Sequence, residues 1–227
     1  MKQIKTHSMM GLILLGLTFH LPSTIVAQNS NPEINDMTTP LHLLKPDYKV
    51  PYGELTVEQV KADIDKVFNY IEKQTPYRVL DKDGKEITSY KNLPHGAVLE
   101  RGAFRIGSYE WGVTYQALLD AAEATGDSRY KDYVINRFKF LARVAPGFRK
   151  LYEKNKETDA QMEQILHPRA LDDAGAMCCA MMKAMTSDPS LGLEELIENY
   201  FQFIEHGQYR LPDGTFARHR PQHNTLW

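Results

Sequence analysis

Two adjacent carboxylates, Asp172 and Asp173, have the residue type and the position that acid–base chemistry needs. They follow His167-Pro168-Arg169 and begin a stretch rich in Ala and Met, whose composition predicts a helix buried nearly all round. One aspartate is enough to cap that helix, because its side-chain oxygen accepts hydrogen bonds from free backbone N–H groups. The second carboxylate would lie near the interior, where burial or a neighbouring charge can tune its pKa. The residues alone favour neither capping nor catalysis.

Aromatic and cationic residues gather in two further parts of the sequence. The first group precedes or begins a predicted helix and comprises Arg105, Tyr109 and Trp111. The second group lies in the last loop and comprises Arg218, His219, Arg220, His223 and Trp227. This combination suits a sugar acid, because a guanidinium pairs with a carboxylate and an indole face packs on a sugar ring. The simpler interpretation makes Trp111 a core residue and the arginines solvated.

The sequence offers little support for metal or cysteine chemistry. His219 and His223 are four residues apart, but they lie in a loop with proline and no third ligand follows at metalloprotease spacing. Cys178 and Cys179 are the only cysteines, and adjacent residues are too close for ordinary disulfide geometry. Their apolar surroundings favour a packing role. We therefore predict no metal and no cofactor.

The N-terminal segment predicts export. Residues 1–27 combine the basic Lys2 and Lys5, an uncharged apolar run and the small residue Ala27, which is the pattern of a secretory signal peptide. The run is too short to span a bilayer, and no later stretch is apolar enough, so no membrane span is expected in the mature chain. A net charge of -2 argues against a nucleic-acid partner. We predict a periplasmic or secreted protein, with residues 28–55 as an extended lead-in.

Apolar periodicity predicts that the rest of the chain is mostly helical. A capping box formed by Thr56 and Gln59 opens the first helix. The apolar stripe of this helix comprises Val57, Val60, Ile64, Val67, Phe68 and Ile71. Further helices are predicted over residues 108–125, from Asp127 to just before Pro146, and over residues 161–166, 171–185 and 193–204.

Three segments between or after these helices are predicted to be non-helical. Residues 77–99 form a long connection with a turn at Gly84, and connections of that length usually have a function or cover a site. The charged residues 149–159 are expected to link two helices. Residues 209–217 are expected to form a hairpin that turns at Gly214.

Four short motifs occur in an order that resembles a known family. They are Tyr109-Glu110-Trp111-Gly112-Val113, Thr125-Gly126-Asp127 with Arg129-Tyr130, Leu171-Asp172-Asp173-Ala174-Gly175, and Arg220-Pro221 with Asn224-Thr225-Leu226-Trp227. Together they resemble the unsaturated rhamnogalacturonyl hydrolases of glycoside hydrolase family 105 and the related unsaturated glucuronyl hydrolases of family 88. The resemblance implies an (α/α)6 barrel of twelve helices. We therefore expect an all-α fold in which residues 56–227 form the N-terminal half of the barrel from antiparallel helical hairpins.

The resemblance also implies an activity and site residues. Members of these families hydrate the C4=C5 double bond of an unsaturated uronic acid at the non-reducing end of an oligosaccharide. An aspartate protonates C4 and then helps water to add at C5. Asp173 matches the helix-start aspartate that assists at the substrate, although Asp172 could take its place. The expected substrate-binding residues are Tyr109, Trp111, His219, Arg220 and Trp227.

One departure from the family pattern affects the expected activity. Trp227 matches the tryptophan of a Trp-x-Asp motif, whose aspartate would lie two positions further on. We therefore expect the 227-residue chain to be an inactive fragment of the enzyme. Two alternatives remain: a non-catalytic carbohydrate-binding helical module, and a structural scaffold in which Trp111 is core and Asp173 is a cap.

Overall fold

The computed structural model describes residues 55–219 and 224–226, together with the isolated residues Thr39, Leu43 and Gly53. The side chains of His219 and of residues 224–226 are not among those described. The chain divides into two compact units, Met1–Gly53 and Glu54–Trp227, and every described α-helix and strand belongs to the second. The predicted signal peptide, residues 1–27, and almost all of the predicted lead-in lie outside the described residues. In the described part, no helix has both the length and the apolar character that crossing a membrane requires.

The described unit contains six α-helices and five short strands, together with a 3-10 helix at Pro189–Leu191 and a π-helical turn at Phe203–Gly207. The helices are α1 (Val57–Gln74), α2 (Tyr109–Thr125), α3 (Ser128–Asn155), α4 (Ala160–Leu166), α5 (Leu171–Ser187) and α6 (Glu194–Gln202). The strands are β1 (Val79–Leu80), β2 (Glu86–Ile87), β3 (Val98–Leu99), β4 (Ala217–His219) and β5 (Asn224–Leu226). The predicted all-α class is confirmed, since every strand is only two or three residues long.

Strands β1 to β3 lie in the predicted connection between the first two helices, whereas β4 and β5 form in the segment that was predicted to be the last loop. The connection between α1 and α2 folds into an antiparallel sheet with the order β2-β1-β3. Gly84 turns the chain between β1 and β2 with a φ of 78°, a conformation that few other residues adopt easily. Gly214, with a φ of 88°, turns the predicted C-terminal hairpin, in which Arg210 pairs with Phe216. Antiparallel β4 and β5 follow.

The ends of the helices follow the predicted caps. The Thr56 side chain accepts a hydrogen bond from the Gln59 N–H, and the Gln59 side chain accepts one from the Thr56 N–H, as a capping box requires. Gly126 ends α2 in the left-handed conformation, and Asp127 caps α3 through the Arg129 N–H. Local sequence therefore determines where these helices begin and end.

The apolar periodicity of α1 overstates how much of this helix is buried. Phe68 and Ile71 are buried in the core, where the Phe68 ring packs edge-on against Tyr130 and Tyr133 of α3. Ile64 is partly buried and packs against the same core. The exposed members of the apolar stripe are Val57, Val60 and Val67.

The predicted end of α3 was also wrong. The helix continues through Pro146 and includes most of residues 149–159, which were expected to be a link. Proline cannot donate a backbone hydrogen bond inside a helix, which normally costs about 3 kcal/mol. Phe148 and Leu151, on the turn that follows, are both buried in the core. Their burial offsets the lost hydrogen bond, so tertiary packing overrides the local signal.

The helix α5 is buried on one side rather than nearly all round, which corrects the prediction from composition. Cys178 is buried, whereas Cys179 and Met182 are exposed. Neighbouring helices α2 and α6 cover α5 on its buried side. Burial raises the pKa of the Cys178 thiol to about 11, so this thiol is protonated at neutral pH and acts as a small apolar residue. The buried residues of α5 are Ala174, Met177, Cys178, Ala180, Met181 and Ala184.

The helices α2 and α5 pack unusually closely at Gly112. A Cβ atom placed there would lie 2.5 Å from the carbonyl carbon of Ala176 and 2.6 Å from the amide nitrogen of Met177. Both are backbone atoms of α5, so they cannot move aside as a flexible side chain would. Glycine is therefore required for the two helices to approach so closely.

We predict that Gly112→Ala destabilises the protein, because the added methyl group forces α2 and α5 apart. The expected loss is about 1–3 kcal/mol in the free energy of unfolding, measured by urea denaturation. Gly175→Ala is the matched control, since a Cβ at this α5 position meets nothing within 4 Å. That variant should be neutral or stabilised by about 0.5–1 kcal/mol. Equal effects of the two substitutions would show that the close contact at Gly112 is not needed.

Candidate functional site

A cleft of about 950 Å³, here called the main cleft, lies where α2 and α5 begin. Its lining includes four of the predicted site residues, which are Tyr109, Trp111, Asp172 and Asp173. It also includes residues that were not predicted for the site, among them Phe104 and Gln208. His219 is placed in β4 by its backbone only. Arg220 and Trp227 lie outside the described residues, so their predicted roles stay predictions.

Asp173 joins the first turns of α2 and α5. Its Oδ1 atom accepts a hydrogen bond of 2.9 Å from the backbone N–H of Tyr109, the first residue of α2. The N-cap residue of α2, Ser108, makes no side-chain capping bond of its own. Asp173 therefore caps a neighbouring helix rather than its own, and the close approach at Gly112 brings the two helix starts together.

Asp172 has different partners. Its Oδ1 atom accepts a hydrogen bond of 3.0 Å from the Asp173 N–H, and its Oδ2 atom accepts one of 2.9 Å from the Arg218 guanidinium. Both side chains of this salt bridge are about two-thirds buried, with 34% and 33% exposure. The bridge ties β4 to the start of α5. Within the described part of the chain, both oxygens of Asp172 are occupied, whereas Oδ2 of Asp173 has no hydrogen-bond partner.

The cations of the site also differ in their partners. Arg169 pairs with Glu163 just outside the main cleft. Arg105 is exposed and has no ion pair with any carboxylate of residues 55–218. Arg105, Arg169 and Asp173 also line a side pocket of about 260 Å³, which shares these residues with the main cleft. Arg105 is thus available to a negatively charged ligand.

Two aromatic rings form one wall of the main cleft. Phe104 and Trp111 are stacked, with ring centroids 4.7 Å apart and planes inclined by 25°. Trp111 is only 6% exposed, whereas Phe104 is 37% exposed. The Trp111 Nε1–H donates a hydrogen bond of 3.1 Å to the Tyr133 hydroxyl. Sequence reasoning missed Phe104, although it directly precedes Arg105, and it missed Tyr133, whose contact with Trp111 joins separate helices.

In the part of the chain that the structure describes, no three His, Cys, Asp or Glu side chains are grouped so that they could hold a metal ion. The acidic pair shares the main cleft with three arginines and with one further carboxylate, that of Glu110. The described site is therefore suited to binding an acidic organic ligand through hydrogen bonds, ion pairs and ring contacts.

The described helices are paired, and carboxylates and aromatic rings meet where two of these helices begin. This arrangement is that of an all-α, barrel-like glycosidase. Residues 66–227 match the model of Glycosyl Hydrolase Family 88, and the chain belongs to that family. The resemblance found from the four motifs is confirmed. No curated protein matches the chain. Family membership makes the chain a glycoside hydrolase and an oligosaccharide its substrate class.

We predict that two substitutions of Asp173 separate its capping contact from its charge. Asp173→Ala leaves the Tyr109 N–H without its acceptor and should lower the free energy of unfolding by about 1 kcal/mol. Asp173→Asn keeps a side-chain oxygen for that bond and should change stability by a few tenths of a kcal/mol at most. Urea denaturation of both variants is the measurement. If the asparagine variant lost as much free energy of unfolding as the alanine variant, the loss of the capping hydrogen bond would not be the cause.

Proposed function

We propose that the protein acts on oligosaccharides that end in an unsaturated uronic acid, by hydration of the C4=C5 double bond. The observation that carries this proposal is the Asp173 carboxylate in the main cleft. One of its oxygens is fixed by the Tyr109 N–H, and the other has no partner among the described residues. Family membership supports the general reaction class, and the resemblance of the motifs supports the specific reaction.

Asp173 is the better candidate for the site carboxylate of the two. Asp172 holds β4 to α5 through Arg218, so a ligand could reach its oxygens only by displacing that salt bridge. Asp173 is already oriented by Tyr109 and keeps one oxygen for a ligand. Hydration breaks the C4=C5 π bond and adds one water molecule across it: a general acid gives a proton to C4, the hydroxyl group bonds to C5, and the remaining proton of the water returns to that acid. The C5 hemiketal then opens by breaking its bond to the ring oxygen, and the hemiacetal left at C1 releases the sugar. Asp173 assists by orienting and polarising the sugar during these proton transfers.

Recognition of the uronic acid is assigned to Arg105. The substrate carries a carboxylate, and a guanidinium binds a carboxylate through two parallel hydrogen bonds. Arg169 and Arg218 each already pair with a carboxylate of the protein, Glu163 and Asp172 respectively. Arg105 lines the main cleft together with Asp173. A uronic acid held by Arg105 would therefore lie within reach of the proposed site carboxylate.

The proposed location is the periplasm or the extracellular space. It rests on the signal-peptide pattern of residues 1–27, with its basic start, short apolar run and small residue at position 27. An exported protein would meet unsaturated oligosaccharides where polysaccharides are cleaved outside the cytoplasm.

We predict that the protein binds an unsaturated uronic-acid disaccharide and that Arg105→Gln weakens this binding by about tenfold or more. The loss of a charged hydrogen bond, worth about 1.5–3 kcal/mol, is the reason. Titration calorimetry gives the dissociation constants, and the ultraviolet absorbance of the conjugated double bond reports any turnover. The binding measurement is informative even for a chain that does not turn the sugar over.

Arg101→Gln is the matched control, because Arg101 lies in the same segment but does not line the main cleft. This variant should bind like the wild type. The saturated disaccharide should bind more weakly than the unsaturated one, since it lacks the planar C4=C5 group. Equal binding by the two arginine variants would refute the role of Arg105, and no binding of the unsaturated sugar would refute the proposed function.

A further inference from the structure

The Trp111 indole is held by a chain of buried hydrogen bonds. Its Nε1–H donates to the Tyr133 hydroxyl at 3.1 Å, this hydroxyl lies 2.8 Å from Thr75 Oγ1, and Thr75 Oγ1 lies 2.6 Å from the Ile71 carbonyl. An indole N–H can only donate and a carbonyl can only accept. The direction is therefore fixed: Tyr133 donates to Thr75, and Thr75 donates to Ile71. The chain joins α2, α3 and the end of α1.

A buried guanidinium reinforces this chain. Arg137 donates hydrogen bonds of 2.8 Å to the hydroxyl and to the carbonyl oxygen of Thr75. Its guanidinium carbon lies 3.4 Å from the centre of the Tyr133 ring, a cation–π contact. Burial lowers the pKa of Arg137, which is only 3% exposed. Tyr133 is thus fixed through both its hydroxyl and its ring face. Its hydroxyl in turn fixes the Trp111 indole by accepting the Nε1–H hydrogen bond.

Phe104 covers the cleft side of this rigid assembly. Its ring is stacked on Trp111, and Tyr70 packs against its edge with ring centroids 6.1 Å apart. Trp111 lines the main cleft but is almost fully buried, so its indole offers little aromatic surface to a ligand. Phe104 remains 37% exposed and lines the cleft. Of the two stacked rings, Phe104 is therefore the one that faces a ligand, and Trp111 supports it from behind. Tyr109, which is 44% exposed, is a further aromatic residue of the cleft lining.

We propose that Phe104 is the platform on which a sugar ring of the substrate stacks, in place of the more deeply buried Trp111. This inference rests on the proposed function and adds a binding residue to it. An aromatic face supplies contact area to the apolar face of a sugar, and a ring that is already fixed loses little conformational entropy when the ligand binds. Phe104 and Arg105 are adjacent in the sequence, so one short segment would supply both the ring contact and the acid contact.

The test compares the dissociation constants of an unsaturated uronic-acid disaccharide for three variants and the wild type. Phe104→Leu keeps an apolar side chain but removes the aromatic face, and it should raise the dissociation constant roughly three- to tenfold. Phe104→Tyr keeps the ring and should bind like the wild type. Phe201→Leu is the matched control, because Phe201 is an exposed phenylalanine of α6 that does not line the main cleft. It should also bind like the wild type.

The outcomes separate this inference from the proposed function. A wild type that binds, together with a Phe104→Leu variant that binds equally well, would overturn the platform and leave the function standing. Equal losses in Phe104→Leu and Phe104→Tyr would overturn it too, because the aromatic ring would then not be what matters. A wild type that binds no unsaturated disaccharide would overturn both. Melting curves of all variants establish that each is folded.

Discussion

The absence of a side chain at Gly112 sets the distance between α2 and α5, and the site depends on that distance. A methyl group at this position would lie 2.5 Å from the backbone of α5. Because Gly112 carries only a hydrogen atom in place of a side chain, the two helices pack backbone to backbone and their first turns lie side by side. The backbone N–H groups in the first turn of a helix have no acceptor within the helix, so they need hydrogen-bond acceptors from elsewhere. The acceptor for α2 comes from α5.

That acceptor is Asp173, whose position lets it cap α2 and still offer one carboxylate oxygen to the main cleft. The Tyr109 N–H occupies one carboxylate oxygen and fixes the plane of the group. The neighbouring Asp172 is occupied by Arg218 and by the backbone of its own helix. Two adjacent carboxylates thus have separate tasks: Asp172 holds β4 in place through Arg218, and Asp173 is presented to the cleft. A carboxylate oriented before the ligand arrives needs little reorganisation during the reaction.

The sequence predicts the local features of this structure well and the long-range ones poorly. Caps such as Thr56 and turns such as Gly84 are determined by neighbouring residues, and both were predicted correctly. The continuation of α3 through Pro146 was not, because it depends on the burial of Phe148 against distant parts of the chain. The acidic pair was found from its residue types alone. The Tyr133 chain joins residues 58 positions apart, and no periodic pattern signals such a contact.

Binding of the unsaturated sugar against Asp173 in the main cleft is the step on which the proposed function depends. A crystal structure of the protein with an unsaturated uronic-acid disaccharide tests it most directly. We predict a sugar hydroxyl within hydrogen-bonding distance of the Asp173 Oδ2 atom, the uronate carboxylate on Arg105, and the bond between Asp173 and Tyr109 intact. A disaccharide bound elsewhere, or one bound to Asp172 after displacing Arg218, would contradict it.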